Sequence, residues 1–405
     1  MQPQFVQWGA GNIGRSFIGQ VFARSGYKVT FIDIDTKLIE ALNREGQYVV
    51  EAISRQGIEK LPITGVSAIH GSNQELLNAA IVATDLMGVS VGKNVWPAIA
   101  KQLGEAILAR YSQKPHHPLD IILAENIHQA ATFVKTLLLP HLPPHFPFDA
   151  YVGLIETSIG KMVPIQTNAN PLVLRAEPYN ELIVDKEGFL NPIPTITDLH
   201  PVSPIAAYGD RKLFIHNLGH ATAAYLGYKA HPDKPLIAEV LEDSVVSTQV
   251  RATMLQSMQI LLQTYPTVLD QKSLEDHIDD LLERFKNRAL GDTVFRVGRD
   301  LARKLHYDDR LMGIIIQAQN MGLPWSSIGR AYLAALSFTA KDGSGEPWPA
   351  DRQFLESLQG LKRREIIYKA SGWKDSNLSP QLFQTIFTIL KNLIFFLKFS
   401  SLITA

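Results

Sequence analysis

The strongest constraint on this chain lies in its first thirty-three residues. The short apolar run "QFVQW" (4–8) meets "GAGNIGRSFIGQVFARSG", in which Gly9, Gly11 and Gly14 form G-x-G-x-x-G. The pattern is weak alone. Here it follows a predicted strand and opens a predicted helix ending near Gly26, which is the context it needs. The glycines allow a tight turn and a close backbone approach to a pyrophosphate, while the helix start adds free N–H groups and partial positive charge. Gly9, Ala10, Gly11, Asn12, Ile13 and Gly14 are therefore the expected dinucleotide contacts. "KVTFI" (28–32) is the next strand, and Asp33 stands directly behind it, nineteen positions after Gly14. A carboxylate there accepts from a ribose diol and repels a 2′-phosphate, so NAD is favoured over NADP. Asp35 fits better as the cap of the following helix.

The same alternation continues. "AAIVATDL" (79–86) and "LDIILAEN" (119–126) read as apolar strands, with a helix over "VWPAIAKQLGEAILARYS" between them. Strands alternating with helices predict a parallel, doubly wound sheet. Pro-rich "LLLPHLPPHFPFDA" (137–150) interrupts it, and "DAYVGLIET" resumes it. Beyond about residue 200, long helical patterns take over, as in "PLIAEVLEDSVVSTQVRATMLQSMQILLQTY" and "SLEDHIDDLLERFKNRAL". The expected fold is α/β: a Rossmann-type doubly wound sheet followed by an all-helical C-terminal domain. Residues 1–198 would form the NAD-binding domain, 199–385 the helical substrate-binding and catalytic domain, and 386–405 an apolar tail.

The stretch "DRKLFIHNLGHA" (210–221) is too apolar for a solvated loop, yet it carries Lys212, His216, Asn217 and His220. On an α-helix of about 100° per residue, Lys212, His216, His220 and Asn217 fall near 0°, 40°, 80° and 140°. Leu218, near 240°, lies outside that arc. A polar stripe of this kind, facing another domain, would line a cleft. These residue types suit alcohol oxidation. Hydride leaves carbon, and the hydroxyl proton must go to a base. With no cysteine to hold a catalytic zinc, a side chain has to serve. Lys212 can do so if burial and a neighbouring cation, Arg211 or the cofactor's positive ring, lower its pKa toward about 7–8. Asn217 can donate to an oxygen gaining negative charge. His220 can orient the substrate or pass on protons, and His216 reads as a bystander. Taken singly, each has a bland reading as a solvated amine or a satisfied core imidazole. Their company with a dinucleotide turn favours the chemical one.

A second basic element, "RVGRDLARKLHYDDR", would place Arg296, Arg299 and Arg303 within about 60° on a helix, with Lys304 near 80°. Guanidinium forks suit phosphate oxygens. The opposing reading is a solvated face balanced by Asp300, Asp308 and Asp309.

The formal net charge is zero, which argues against a general nucleic-acid or anionic-membrane footprint. No basic stretch precedes an apolar run at the N-terminus, so no secretory signal is expected, and cysteine-free composition agrees with a cytoplasmic enzyme. The tail "LFQTIFTILKNLIFFLKFSSLITA" is interrupted by Lys391, Asn392 and Lys398. It reads as a last helix docked on the core, or as an amphipathic membrane contact, and not as an integral span. There is no H-E-x-x-H, Walker A or G-x-S-x-G pattern, and no metal site is expected.

"WGAGNIGRSFIG" together with Lys212…Asn217…His220, a K-x-x-x-x-N-x-x-H element, resembles the polyol-specific long-chain dehydrogenases, the mannitol dehydrogenase family. "LAENIHQAA", "ERFKNRALGDTVFRVGRDLARKL" and "DDRLMGIIIQAQNMGLP" support this over about residues 5–340. The resemblance implies NAD, no metal, and the lysine as general base. It implies that Asn217 and Asn126 polarise the reacting oxygen with His220 beside them, and that Arg296 and Lys304 touch the polyol. Arg299 and Arg303 point to the phosphate-sugar branch, interconverting mannitol 1-phosphate and fructose 6-phosphate. A free polyol or hexuronate substrate, or a catalytically silent NAD-binding module, stays open. The expected partner is a small sugar phosphate, in a monomer or weak homo-oligomer. Two departures stand out: Gly160-Lys161 replaces a frequent Asp-Arg, and His216 replaces an apolar residue.

Overall fold

The computed structural model describes residues 2–403 apart from 128, 167, 168 and 377, with side chains as far as 393. The chain divides into two compact units, residues 1–209 and 210–405.

The strands of the first unit are β1 (Gln4–Trp8), β2 (Lys28–Asp33), β3 (Gln47–Ser54), β4 (Gly57–Thr64), β5 (Val66–His70), β6 (Leu86–Val89), β7 (Leu119–Leu123), β8 (Val152–Ser158), β9 (Val173–Ala176), β10 (Leu182–Asp185) and β11 (Leu199–Val202). Among the described residues, eight of them form one sheet in the order β11-β10-β8-β7-β6-β1-β2-β5. From β5 to β8 all pairs are parallel, with Phe5 opposite Val29 and Val6 opposite Met87; β10 runs antiparallel to β8. The chain order reverses between β1 and β6, the switch point at which open sheets of this kind bind ligands.

Both faces of the sheet are buried, which explains the continuously apolar strands. Phe5, Phe31, Ile122 and Ile155 pack on one face with Phe17, Ile18 and Phe22 of the first helical segment. Val6, Trp8, Ile32, Met87, Ile121 and Leu123 pack on the other with Leu77, Ile81, Leu103 and Ile107.

The predicted strand over 79–86 is corrected. Gln74–Ala83 is a helix, and the strand is Leu86–Val89. Asn73 caps that helix by accepting from the Leu76 N–H at 3.1 Å. Leu77 and Ile81, four apart, bury one face against the sheet. A short apolar run suits helix or strand equally, and the upstream cap decides it. A second sheet, β4-β3-β9, escaped prediction. Its hairpin β3–β4 is joined by β9, some 120 positions away, with Val49 opposite Val173.

The second unit is built from helices. Leu218–Ala230 packs against Ser244–Thr264, Val294–Gly298 and Ser326–Ala335. The long apolar pattern of 235–265 is cut at Asp243, whose carboxylate accepts from the Val245 N–H and starts Ser244–Thr264. Gln271–Phe285 buries Leu274, Ile278, Leu281, Leu282 and Phe285, a one-sided stripe at helical spacing. Pro380–Ile403 is one helix, and Phe383, Ile386 and Leu390 bury its inner face near the Met312–Met321 and Ser326–Ala335 helices. Among the described residues no helix is long and apolar enough to cross a membrane. The amphipathic reading of the tail rests on side chains beyond 393, which lie outside the described residues.

Candidate active site

In the first unit the glycine turn follows β1 at the switch point. Gly9 has φ +92°, and a Cβ there would press on the Ser90 carbonyl behind β6 at 2.5 Å. A Cβ on Gly14 would overlap the Gly9 carbonyl, whereas one on Gly11 would meet nothing within 4 Å. Two glycines thus let the turn close on itself, and the third leaves open space where a phosphate can approach. The helix that follows begins as a π-helix, Gly14–Gly19. Ser16 donates to the Asn12 carbonyl at 2.6 Å. Asp33 Oδ2 accepts from the Ala10 N–H at 2.7 Å, and its Oδ1 accepts from the N–H groups of Ile34 and Asp35. Asp35 caps Thr36–Glu45, as expected. The fit for a dinucleotide is good: an open glycine, a narrow turn at a switch point, and a carboxylate tied to that turn.

Asn126 is exposed, three residues past the carboxyl end of β7. Its neighbour Glu125 accepts from the Val91 and Gly92 N–H groups at 2.8 and 2.9 Å and from Trp96 Nε1 at 3.1 Å. Burial pushes the Glu125 carboxyl up, and these three donors oppose it. Glu125 therefore ties the loop after β6 to the segment carrying Asn126. Lys161 is buried in the same unit, with Nζ 3.0 Å from Asn180 Oδ1 and 5.5 Å from the centre of the Phe17 ring.

In the second unit the stretch around Lys212 departs from the α-helix assumed above. Ile205–Arg211 is α-helical, Lys212–Asn217 is a π-helix, and Leu218–Ala230 is α-helical again. An i→i+5 ladder sets residues five apart about one turn apart. Lys212 and Asn217, separated by about 140° on an α-helix, are thereby drawn toward one side. Lys212 is half-buried. Burial, with the charge of Arg310 second, lowers its pKa to about 8. Arg310 Nη1 donates to the Asn217 carbonyl at 3.4 Å, and its Nε pairs with Asp309 Oδ1 at 2.7 Å.

His220 stacks on Phe285, ring centres 4.6 Å apart, with Nε2 3.2 Å from Asp292 Oδ2. Asp292 also pairs with Arg296. His216 is buried behind this pair, 5.7 Å from the Phe285 ring. Burial, then the nearby charge of Arg284, drives its pKa well below the usual imidazole range. His277 is held to about 3 by burial, then Arg211 and Arg284. Both imidazoles are neutral at pH 7.

The continuous basic helix over 296–304 is corrected. Val294–Gly298 ends, Asp300 turns left-handed at φ +74°, and Leu301–Lys304 starts afresh. Asp351, itself buried, accepts from the Asp300 and Leu301 N–H groups at 2.9 and 2.7 Å and holds the break. The four cations therefore do not share one helix face. Arg296 pairs with Asp292, and exposed Arg303 pairs with Asp300 and Asp309. Arg299 lies over Trp348, 4.5 Å from the ring centre. Buried Lys304 donates to the Val297 carbonyl at 2.5 Å; burial, then Arg310 and Arg303, lowers it to about 7.

Arg310, Asp292 and Asp351 were missed by sequence reasoning. Arg310 stands in "YDDRLMG", and an arginine behind two aspartates at the start of an apolar run was the available signal. Among the described residues, no group of three or more His, Asp or Glu is placed to hold a metal ion.

A family model described as Mannitol dehydrogenase Rossmann domain matches residues 3–198, and one described as Mannitol dehydrogenase C-terminal domain matches 204–374. Mannitol-1-phosphate 5-dehydrogenase of Streptococcus pneumoniae (strain Hungary19A-6) is 29% identical over 384 residues, 94% of this chain and 99% of that protein. Among solved structures, a D-sorbitol dehydrogenase in substrate-free form aligns with TM-score 0.78 at 14% identity, covering 96% of this chain and 93% of that one. Pseudomonas fluorescens mannitol 2-dehydrogenase, in a ternary complex with NAD and D-mannitol, aligns with TM-score 0.68 at 14% identity, over 97% and 94%. At such identities these two likenesses speak for the fold.

Proposed function

The chain belongs to the mannitol dehydrogenase family, and from that premise we propose that it interconverts D-mannitol 1-phosphate and D-fructose 6-phosphate with NAD. The observation that carries the reading is Lys212: an amine lowered to about 8 beside a buried arginine, one π turn from Asn217. Such an amine changes protonation near working pH, as a general acid–base group must.

When bound, the nicotinamide accepts or returns the hydride. The remaining work falls to this chain. The Gly9–Gly14 backbone, with Ala10, Asn12 and Ile13, would hold the pyrophosphate, and Asp33 the ribose hydroxyls. In oxidation Lys212 Nζ takes the proton from the C5 hydroxyl of mannitol 1-phosphate; in reduction it returns one to the C2 oxygen of fructose 6-phosphate. Asn217 and Asn126 donate to that oxygen as charge develops. His220, set by Phe285 and Asp292, orients the polyol together with Arg296 and Lys304. Arg299 is the first candidate for the phosphate, since its guanidinium lies on an aromatic ring while Arg296 and Arg303 are engaged by carboxylates. Arg303 would join by exchanging a carboxylate for the phosphate.

The test is NADH oxidation over fructose 6-phosphate, fructose and fructuronate. Fructose 6-phosphate should be preferred; equal or better turnover of either rival would transfer the assignment to the free polyol or hexuronate branch. The pair Arg299→Ala and Arg303→Ala should raise KM for the phosphorylated sugar far more than for NADH. Lys212→Ala should bind NADH yet lose about 10²–10⁴ in kcat. A Lys212→Ala variant with full turnover would exclude the lysine as base.

A further inference from the structure

The π turn at Lys212–Asn217 receives hydrogen bonds from outside its own helix at two carbonyls. Arg310 donates to Asn217, as described, and Ser257 Oγ donates to the Phe214 carbonyl at 2.6 Å. Ser257 lies in the Ser244–Thr264 helix and is fully buried. Phe214 is in the middle of the π turn and buried as well.

π-helices are rare and short, because the wider ladder gives up the packing of the α form. A side chain inserted into the ladder is one of the few things that hold a helix out of α register. A buried hydroxyl also has to find an acceptor, or its desolvation is left uncompensated. In the π register the Ser257 hydroxyl has that acceptor. Return to α register would rotate the Phe214 carbonyl away from it, so the bond selects the wider turn.

We infer that Ser257 is a positioning residue: its hydroxyl latches the π turn and so keeps Asn217 on the same side as Lys212. The inference rests on the reading of Lys212 and Asn217 as the acting pair. Without the latch, Asn217 drifts toward its α position, and the reacting oxygen loses a donor. The Ser257 hydroxyl itself takes no part in the reaction.

The experiment compares Ser257→Ala, Met254→Ala and Lys212→Ala in the full chain, with NADH and fructose 6-phosphate, at a temperature where far-UV circular dichroism shows each folded. Met254 is the matched control, since it is fully buried one turn earlier on the same helix and contacts Gly219, next to the π turn. It makes no hydrogen bond to the turn. Ser257→Ala should lower kcat about 10²-fold, the scale for a misplaced catalytic group, with KM for NADH unchanged. Met254→Ala should lower the thermal midpoint at least as far while keeping kcat. If both variants lose kcat in the same proportion, the effect is general loosening of the helix pair and the latch is refuted. Wild-type kcat in Ser257→Ala beside an inactive Lys212→Ala refutes the latch and leaves the base in place. An active Lys212→Ala removes the underlying reading instead.

Discussion

Lys212 shows how a residue type can be legible while its state is not. An amine inside an apolar run is conspicuous in the sequence, as are Asn217 and His220. The cation that helps to tune it is not: Arg211 or the cofactor's ring was the expected neighbour, whereas Arg310, ninety-eight positions away, acts on Lys212. Such pairing is set by tertiary packing, which no local spacing encodes. The tuning makes a prediction with a definite sign. On the role proposed for Lys212, oxidation needs the neutral amine, so its kcat should rise as pH climbs through about 8; reduction needs the ammonium and should fall over the same range. Arg310→Met removes a positive charge that disfavours the ammonium, so both inflections should move to higher pH. An unmoved inflection in the pH–rate profile would assign it to another group.

At the scale of elements, the sequence located turns by their caps and lost them where strain is held from a distance. Asp35 was readable as a cap because its acceptor sits three residues from the N–H it serves. The break at Gly298–Leu301 was not, since "RVGRDLARKL" has helical spacing throughout and the carboxylate that interrupts it is Asp351, fifty residues on. The π turns at Gly14–Gly19 and Lys212–Asn217 are likewise invisible to a period of 3.6. Asp351→Ala would leave the buried Leu301 N–H and the half-buried Asp300 N–H without their acceptor, at about 1–3 kcal/mol for the buried one. Urea unfolding should show that loss. On the sugar-binding roles proposed for Arg299 and Lys304, KM for the sugar should rise with it; a variant with wild-type midpoint and KM would show that the turn stands without Asp351.

Over the whole molecule, alternation of strands and helices announced the doubly wound sheet, and the change of pattern near residue 200 announced a helical second unit. The β4-β3-β9 sheet was out of reach because its third strand comes from another part of the chain. The C-terminal helix belongs at this scale too. Phe383, Ile386 and Leu390 are fully or almost fully buried, so this segment contributes to the core of the second unit. Leu390→Ala should cost about 2–5 kcal/mol, read as a lower denaturant midpoint. An unchanged midpoint would show that the segment adds nothing to the stability of that core.

The bond between Asp33 and the Ala10 amide has a consequence for anyone wishing to change coenzyme preference. The acid that would discriminate against the extra phosphate of NADP is also a strut for the loop that would grip the pyrophosphate. Exchanging it for a small neutral residue discards both at once, so NADP would be admitted into a slackened cradle. A successful redesign would have to supply a new acceptor for that amide before it supplies a new cation.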